Sequence, residues 1–309
     1  MSIFIMLGLL AGVFVPVQTG VNAKLGRDTQ ESFLSSGISF LVGTLFLMVL
    51  GTFTGASPVI PLHELASLPW WGYLGGFLAM ICLTANIFLF DALGSVLAIV
   101  LPMVGQITLS TLIDNFGWFG TQAIPLTGFR ILGALLVIVG IVFIVVLPTL
   151  GQHRLAGQQP SGNILWKIGG IISGMVYATE LAINGRVGTL IQSPIHAAFL
   201  TFAVATVGLF LVVTFRGHLN HLALIRRNRT PWWAFLGGII GGFSVCLSAL
   251  LVPRIGNGSA IVLGILGQIV VSLLIDRFGW LGGVQRRISR VQVVGLIVLV
   301  VGVVAIELL

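Results

Sequence analysis

Polar side chains interrupt this chain only at intervals, and the apolar stretches between them are long enough to cross a bilayer. Ile131–Leu147 and Val291–Ile306 contain no ionisable residue at all. A helix rising about 1.5 Å per residue needs about 20 such residues to span the hydrocarbon core. Applied along the chain, this pattern predicts ten membrane helices: 3–24, 33–54, 70–91, 95–113 and 129–148, then 164–186, 194–216, 232–253, 257–276 and 291–308. Segment 149–163 is polar and turn-rich, with Gly151-Gln152-His153-Arg154 and Gln158-Gln159-Pro160-Ser161-Gly162, and reads as a linker. The start, Met1-Ser2-Ile3-Phe4, lacks the basic stretch of a cleavable signal, so the first span is expected to be a structural helix.

Composition agrees with that pattern. The 309 residues are 57% hydrophobic and 7% charged, with a mean hydropathy of +1.13, where soluble domains carry about 25% charged residues. Too little polar surface exists to cover a water-soluble sphere, which excludes a soluble enzyme. The 41 glycines suit closely packed membrane helices. Cys82 and Cys246 lie inside hydrophobic spans and form neither a disulfide framework nor a metal site. The net charge of +7 does not point to nucleic acid, because the basic residues are scattered over short loops.

An internal repeat organises the spans. A shift of 162 residues brings Gly12 onto Gly174, Asn22 onto Asn184 and Thr44 onto Thr206 without a gap. Pro69-Trp70-Trp71 falls on Pro231-Trp232-Trp233, Gly105-Gln106 on Gly267-Gln268, and Leu112-Ile113-Asp114 on Leu274-Ile275-Asp276. So many rare residues in one register mark a tandem duplication. The expected domains are therefore 1–148, the linker 149–163, and 164–309. Five spans per copy is an odd number, so the second copy enters the membrane from the opposite side. With the N-terminus outside, 12 of the 15 Lys and Arg residues fall on inner loops, leaving Arg130, Arg186 and Arg254 outside. Both termini are thus expected on the non-cytoplasmic face. The fold class that follows is an all-α integral membrane protein of ten transmembrane helices in two inverted five-helix repeats. Such repeats can exchange conformations, which is how alternating access arises in secondary transporters.

Residues Pro16-Val17-Gln18-Thr19-Gly20-Val21-Asn22-Ala23-Lys24-Leu25-Gly26 resemble the first-helix signature of the YdcZ family, within the drug/metabolite transporter superfamily. The two Gly-Gln…Leu-Ile-Asp-x-Phe-Gly-Trp segments and the Pro-Trp-Trp starts share that resemblance, so nearly the whole chain is similar to a fused pair of YdcZ copies. The superfamily also contains small multidrug exporters, whose first-helix glutamate binds protons and cations in turn and whose last helix pairs through glycines seven residues apart. Gly133/Gly140 and Gly295/Gly302 have that spacing. The resemblance implies that the fifth and tenth spans hold the halves together.

Candidate chemistry centres on Glu180, about 15 residues into the sixth span and past the bilayer centre. An ionised carboxylate there costs roughly 2.5 kcal/mol or more and usually marks function; a packing carboxyl paired with a nearby donor is the structural alternative. Ser173, Tyr177, Glu180 and Asn184 are spaced 4, 3 and 4, so they share one helical face. The first copy carries Gln18 in place of Glu180 and keeps Asn22 in place of Asn184. Gln106/Ser110 and Gln268/Ser272 recur at i,i+4 in both copies, as lining groups or as interhelical hydrogen-bond partners. Asn86 is a weaker mid-span candidate, and Asp114 and Asp276 are expected to act as turns or caps. Glu180, Tyr177, Asn184, Gln18, Asn22, Gln106, Gln268, Ser110 and Ser272 are therefore the expected proton- and substrate-binding set. No Walker or dinucleotide fingerprint and no metal-ligand spacing occurs, so no cofactor or metal is expected. The predicted function is secondary transport of a small organic cation or polar metabolite, proton exchange being one mode, by a monomeric pseudo-dimer. A passive channel and a lipid flippase share the same hydropathy.

Overall fold

The computed structural model describes residues 2–55, 60–148, 164–279 and 288–308. The expected linker 149–163 lies outside the described residues, as do the side chains of Asn86, Asp91 and Asp276. The long elements are all helical. In chain order they are α1 (Ser2–Thr29), α2 (Ser32–Phe53), the short α3 (Leu62–Ser67), α4 (Leu74–Phe116) and α5 (Gly128–Ile141), which continues through a wider π turn at Val142–Val146. The second copy supplies α6 (Ile164–Leu190), α7 (Pro194–Phe215), the short α8 (Leu222–Arg227), α9 (Leu236–Ile255), α10 (Asn257–Phe278) and α11 (Arg290–Leu308). Among the described residues, seven helices are long and apolar enough to cross a membrane, and Trp70–Leu83 and Arg290–Ile306 are apolar but shorter. Each Pro-Trp-Trp start forms a 3-10 turn, with Trp70 and Trp232 both left exposed, a placement that suits aromatic anchoring at an interface.

One boundary differs from the sequence expectation. The third and fourth spans, predicted as separate helices, form the single element α4. It cannot be straight. Cys82 Sγ lies 3.7 Å from the Ser173 carbonyl, while a Cβ added to the next residue of α6, Gly174, would run into the Pro102 carbonyl. Twenty residues of straight helix would separate those two points by about 30 Å, so α4 doubles back between them and clasps α6 with two limbs. The other copy does the same with a visible break. Gly256, at φ +86°, separates α9 from α10, Ser244 Oγ donates to the Ala11 carbonyl, and Gly12 faces the backbone of Gly264. All these positions are offset by 162 from their partners in the first copy.

The same offset recurs elsewhere. Left-handed backbone occurs at Gln30 and Gln192, Gly55 and Gly217, and Gly117 and Gly279. Glu31 and Ser193 cap α2 and α7 through their side chains. Thr44 Oγ1 and Thr206 Oγ1, equivalent residues of the two copies, lie 3.2 Å apart, so α2 and α7 pack matching positions against each other. Gly133 faces Gly302, and Gly140 faces Gly295, so α5 and α11 cross antiparallel with backbone against backbone. Around this crossing, Ile107, Ile113, Val137, Ile141, Leu263 and Leu299 are among the fully buried residues of the largest core cluster.

One end of the fold carries a polar clasp between the copies. Glu31 Oε1 lies 3.0 Å from His218 Nδ1 and 3.5 Å from Arg216 Nη1. His221 Nδ1 lies 2.9 Å from the Thr29 carbonyl, and Asn228 Nδ2 donates to the Asp28 carbonyl at 2.7 Å. Burial pushes the Glu31 carboxyl up, but the His218 bond, the Phe33 and Leu34 amides and the Arg216 charge together hold it below its ordinary value.

Candidate functional site

The polar face predicted on the sixth span exists on α6. Ser173, Glu180 and Asn184 are all buried, the last two to 5% and 2% exposure. Thr201 Oγ1 on α7 donates to Asn184 Oδ1 at 2.6 Å. That bond orients the amide, whose nitrogen then donates to Glu180 Oε1 at 3.3 Å. Tyr177 stands one turn before Glu180 on the same face, and Cys82 approaches α6 at the Ser173 carbonyl. Among the described residues no Lys, Arg or His forms an ion pair with Glu180. The carboxyl therefore has an amide partner, itself bonded to a hydroxyl, and no fixed counter-charge among the described residues. A proton or a small cation could neutralise it.

Gly75 leaves the room that Asn184 occupies, since a Cβ there would sit 2.5 Å from Asn184 Oδ1. For the first copy's α1, Gly237 of α9 plays the same part for Asn22, and Gly241 makes room for the Gln18 amide. Gln18 and Asn22 thus occupy the mirrored site on α1 rather than joining the Glu180 group. Asn22 Oδ1 is buried and has no hydrogen-bond partner among the described residues. Ser110 is fully buried and donates to the Ile107 carbonyl of its own helix. Gln106, Gln268 and Ser272 are partly exposed, and no hydrogen bond among the described residues links them to Glu180. The four glycines Gly133, Gly140, Gly295 and Gly302 lie at the α5–α11 crossing, away from these polar groups.

A cavity of about 540 Å³ adjoins the same face of α6. Its walls are apolar and include Phe33 of α2, Met80, Ile81 and Phe88 of α4, Trp166 of α6 and Val212 of α7. Trp166 and Gly169, both on its wall, precede Ser173, Tyr177, Glu180 and Asn184 at spacings of 3, 4, 4, 3 and 4. One continuous helical stripe therefore runs from an aromatic cavity to a buried carboxyl. None of the residues singled out from sequence lines that cavity. Apolar lining residues are indistinguishable in sequence from lipid-facing ones, so the pattern carried no signal for them. Thr201 could have been found: its counterpart Ser39 keeps a hydroxyl at the matching position of the first copy.

Asp114 has a role that spacing alone did not show. It caps no turn of its own. Its carboxylate, fully buried, accepts from the Asn257 and Gly258 amides at 2.7 and 2.8 Å. It is the N-terminal cap of α10, a helix of the other copy, immediately after the Gly256 break.

These features define a multi-helix membrane protein built from two copies of one unit. The family model described as "Putative inner membrane exporter, YdcZ" matches it twice, over residues 3–143 and 165–305, two stretches separated by the same 162 residues as the internal repeat. The chain belongs to the YdcZ family, and so is a membrane transporter of the drug/metabolite type. A crystal structure of a protein superposes with a TM-score of 0.64 at 14% identity, covering 98% of this chain and 94% of its own; at that identity the likeness concerns the fold alone. No curated protein matches the sequence.

Proposed function

We propose that the chain is a ten-span secondary exporter of the inner membrane, whose two inverted five-span repeats alternate access for a small organic cation with an apolar body. Both termini face away from the cytoplasm in this reading, a linker at 149–163 joins the copies, and one chain suffices. The observation that carries it is the single stripe on α6 that runs from the aromatic cavity at Trp166 to the Glu180 carboxyl, which has no counter-charge among the described residues. The cavity's size falls within the range of roughly 300–1,000 Å³ typical of small-molecule sites. An aromatic wall attracts the face of a cation as well as its hydrocarbon, and Glu180 exchanges that cation for a proton. Antiparallel packing of Gly133 on Gly302 and Gly140 on Gly295 supports the inverted relation. One carboxyl releases at most one proton per cycle, so coupling is one-for-one at most.

Proton movement in proteoliposomes, read with a trapped pH-sensitive dye, tests this with a panel of organic cations, because one-for-one exchange of a monovalent cation for a proton carries no net charge. Saturable cation-driven proton flux is expected in the wild type and absent in Glu180→Gln. Equal flux in both proteins would reduce Glu180 to a packing residue. The almost wholly apolar cavity wall favours lipid as a second reading, and a dithionite assay of fluorescent lipid would separate the two cargoes.

A further inference from the structure

At the end of the fold opposite the Glu31 clasp the described Lys and Arg residues are Arg130, Arg186 and Arg254. Arg254 donates to the Leu250 carbonyl and lies over the Phe4 ring, 5.4 Å from its centroid. Arg186 has no carboxylate or hydrogen-bond partner among the described residues. It lines a second pocket, of about 270 Å³, with Gly120, Thr121, Gln122, Thr189 and Pro253. Its counterpart in the first copy is Lys24, which pairs with Asp28 one turn further along α1. The residue matching Asp28 is Leu190, so the second copy has the cation without that neutralising partner.

The backbone around Arg186 is bent to admit it. Gly117, Phe119 and Gly120 have φ values of +63°, +59° and +69°, a conformation costly for Phe119. The Phe119 ring is held edge-on against Trp71, 5.7 Å away. The left-handed backbone at Gly120 favours glycine and brings the loop against the guanidinium, where a Cβ would lie 2.9 Å from Arg186 Nε. The Thr121 and Thr189 hydroxyls already donate to backbone carbonyls. That leaves the Arg186 guanidinium and the Gln122 amide as side-chain donors among the lining residues, and the guanidinium fork suits two oxygens of one anion.

We propose that this pocket is an anion site in which Arg186, assisted by Gln122, holds a carboxylate or phosphate group. The pocket is smaller than typical drug-sized sites, so it takes a headgroup or a small anion rather than a whole cargo molecule. A phospholipid headgroup and a free anion share this chemistry.

Thermal unfolding of the full chain tests the site. It is run in nanodiscs of phosphatidylcholine with and without phosphatidylglycerol, and in neutral detergent with inorganic phosphate or acetate. In the wild type, one of these anions raises the midpoint by about 2 °C or more. Arg186→Gln abolishes the shift, Arg186→Lys and Gln122→Ala reduce it, and Arg254→Gln leaves it unchanged. A shift with phosphatidylglycerol alone identifies a lipid headgroup; a shift with phosphate or acetate identifies a soluble anion. No anion-dependent shift in the wild type, or one that Arg186→Gln retains, overturns the proposal. Should Arg186→Gln fail to fold, the wild-type, Arg186→Lys and Gln122→Ala series decides it.

Discussion

Replacing Asp114 by Asn isolates the bond that joins the copies at the α10 start. Both carboxylate oxygens accept from backbone amides, Asn257 N on Oδ1 and Gly258 N on Oδ2. An amide side chain keeps one acceptor and turns an NH2 towards the second N–H. One charge-assisted bond is lost and a buried donor is left facing another donor. Hydrogen bonds to charged groups contribute about 1.5–3 kcal/mol, within reach of the largest N-cap effects of about 2 kcal/mol. Local opening of the first turn of α10 should become easier by that amount, and each 1.4 kcal/mol is about tenfold. Hydrogen exchange at Asn257 and Gly258 is therefore expected to speed up about 10- to 150-fold in Asp114→Asn, while amides in the middle of α7 keep their protection. Unchanged exchange at both amides would show that Asp114 does not hold the α10 start, and that the Gly256 break is supported by packing alone.

Two further outcomes follow from the packing and from the clasp. Gly302→Val should lower the unfolding midpoint strongly, since even a Cβ there would lie 2.7 Å from the Gly133 carbonyl and overpacking costs about 1–3 kcal/mol; Gly128→Ala, with nothing within 4 Å, is the neutral control. The Glu31 carboxyl is held below its ordinary value of 4.5, so its contribution is complete above that value and drains away as pH falls through the lower folded value. Midpoints of wild type recorded from about pH 6 to about pH 3 should therefore fall more steeply than those of Glu31→Gln, which keeps an oxygen for the α2 cap but has no charge to lose; parallel curves would remove the clasp from the acid limb.

Much of this architecture is written in one-dimensional patterns. Membrane insertion requires long apolar runs, and a duplicated unit needs the same turns twice. The long apolar runs, the 162-residue offset and the shared face of Ser173, Tyr177, Glu180 and Asn184 were therefore legible from spacing alone. Even the glycine pairs announced a close helix crossing, because only small residues let two backbones meet. Tertiary structure decided what depends on direction and on partners distant in the chain. Thr201 became the residue that orients Asn184, Asp114 became the cap of a helix 143 residues away, and α4 folded back around α6 where two separate helices were expected. The apolar cavity beside Trp166 was invisible for a physical reason. In a membrane protein the same hydrophobic side chains face lipid, core or cargo, and only the packing of several helices distinguishes the three.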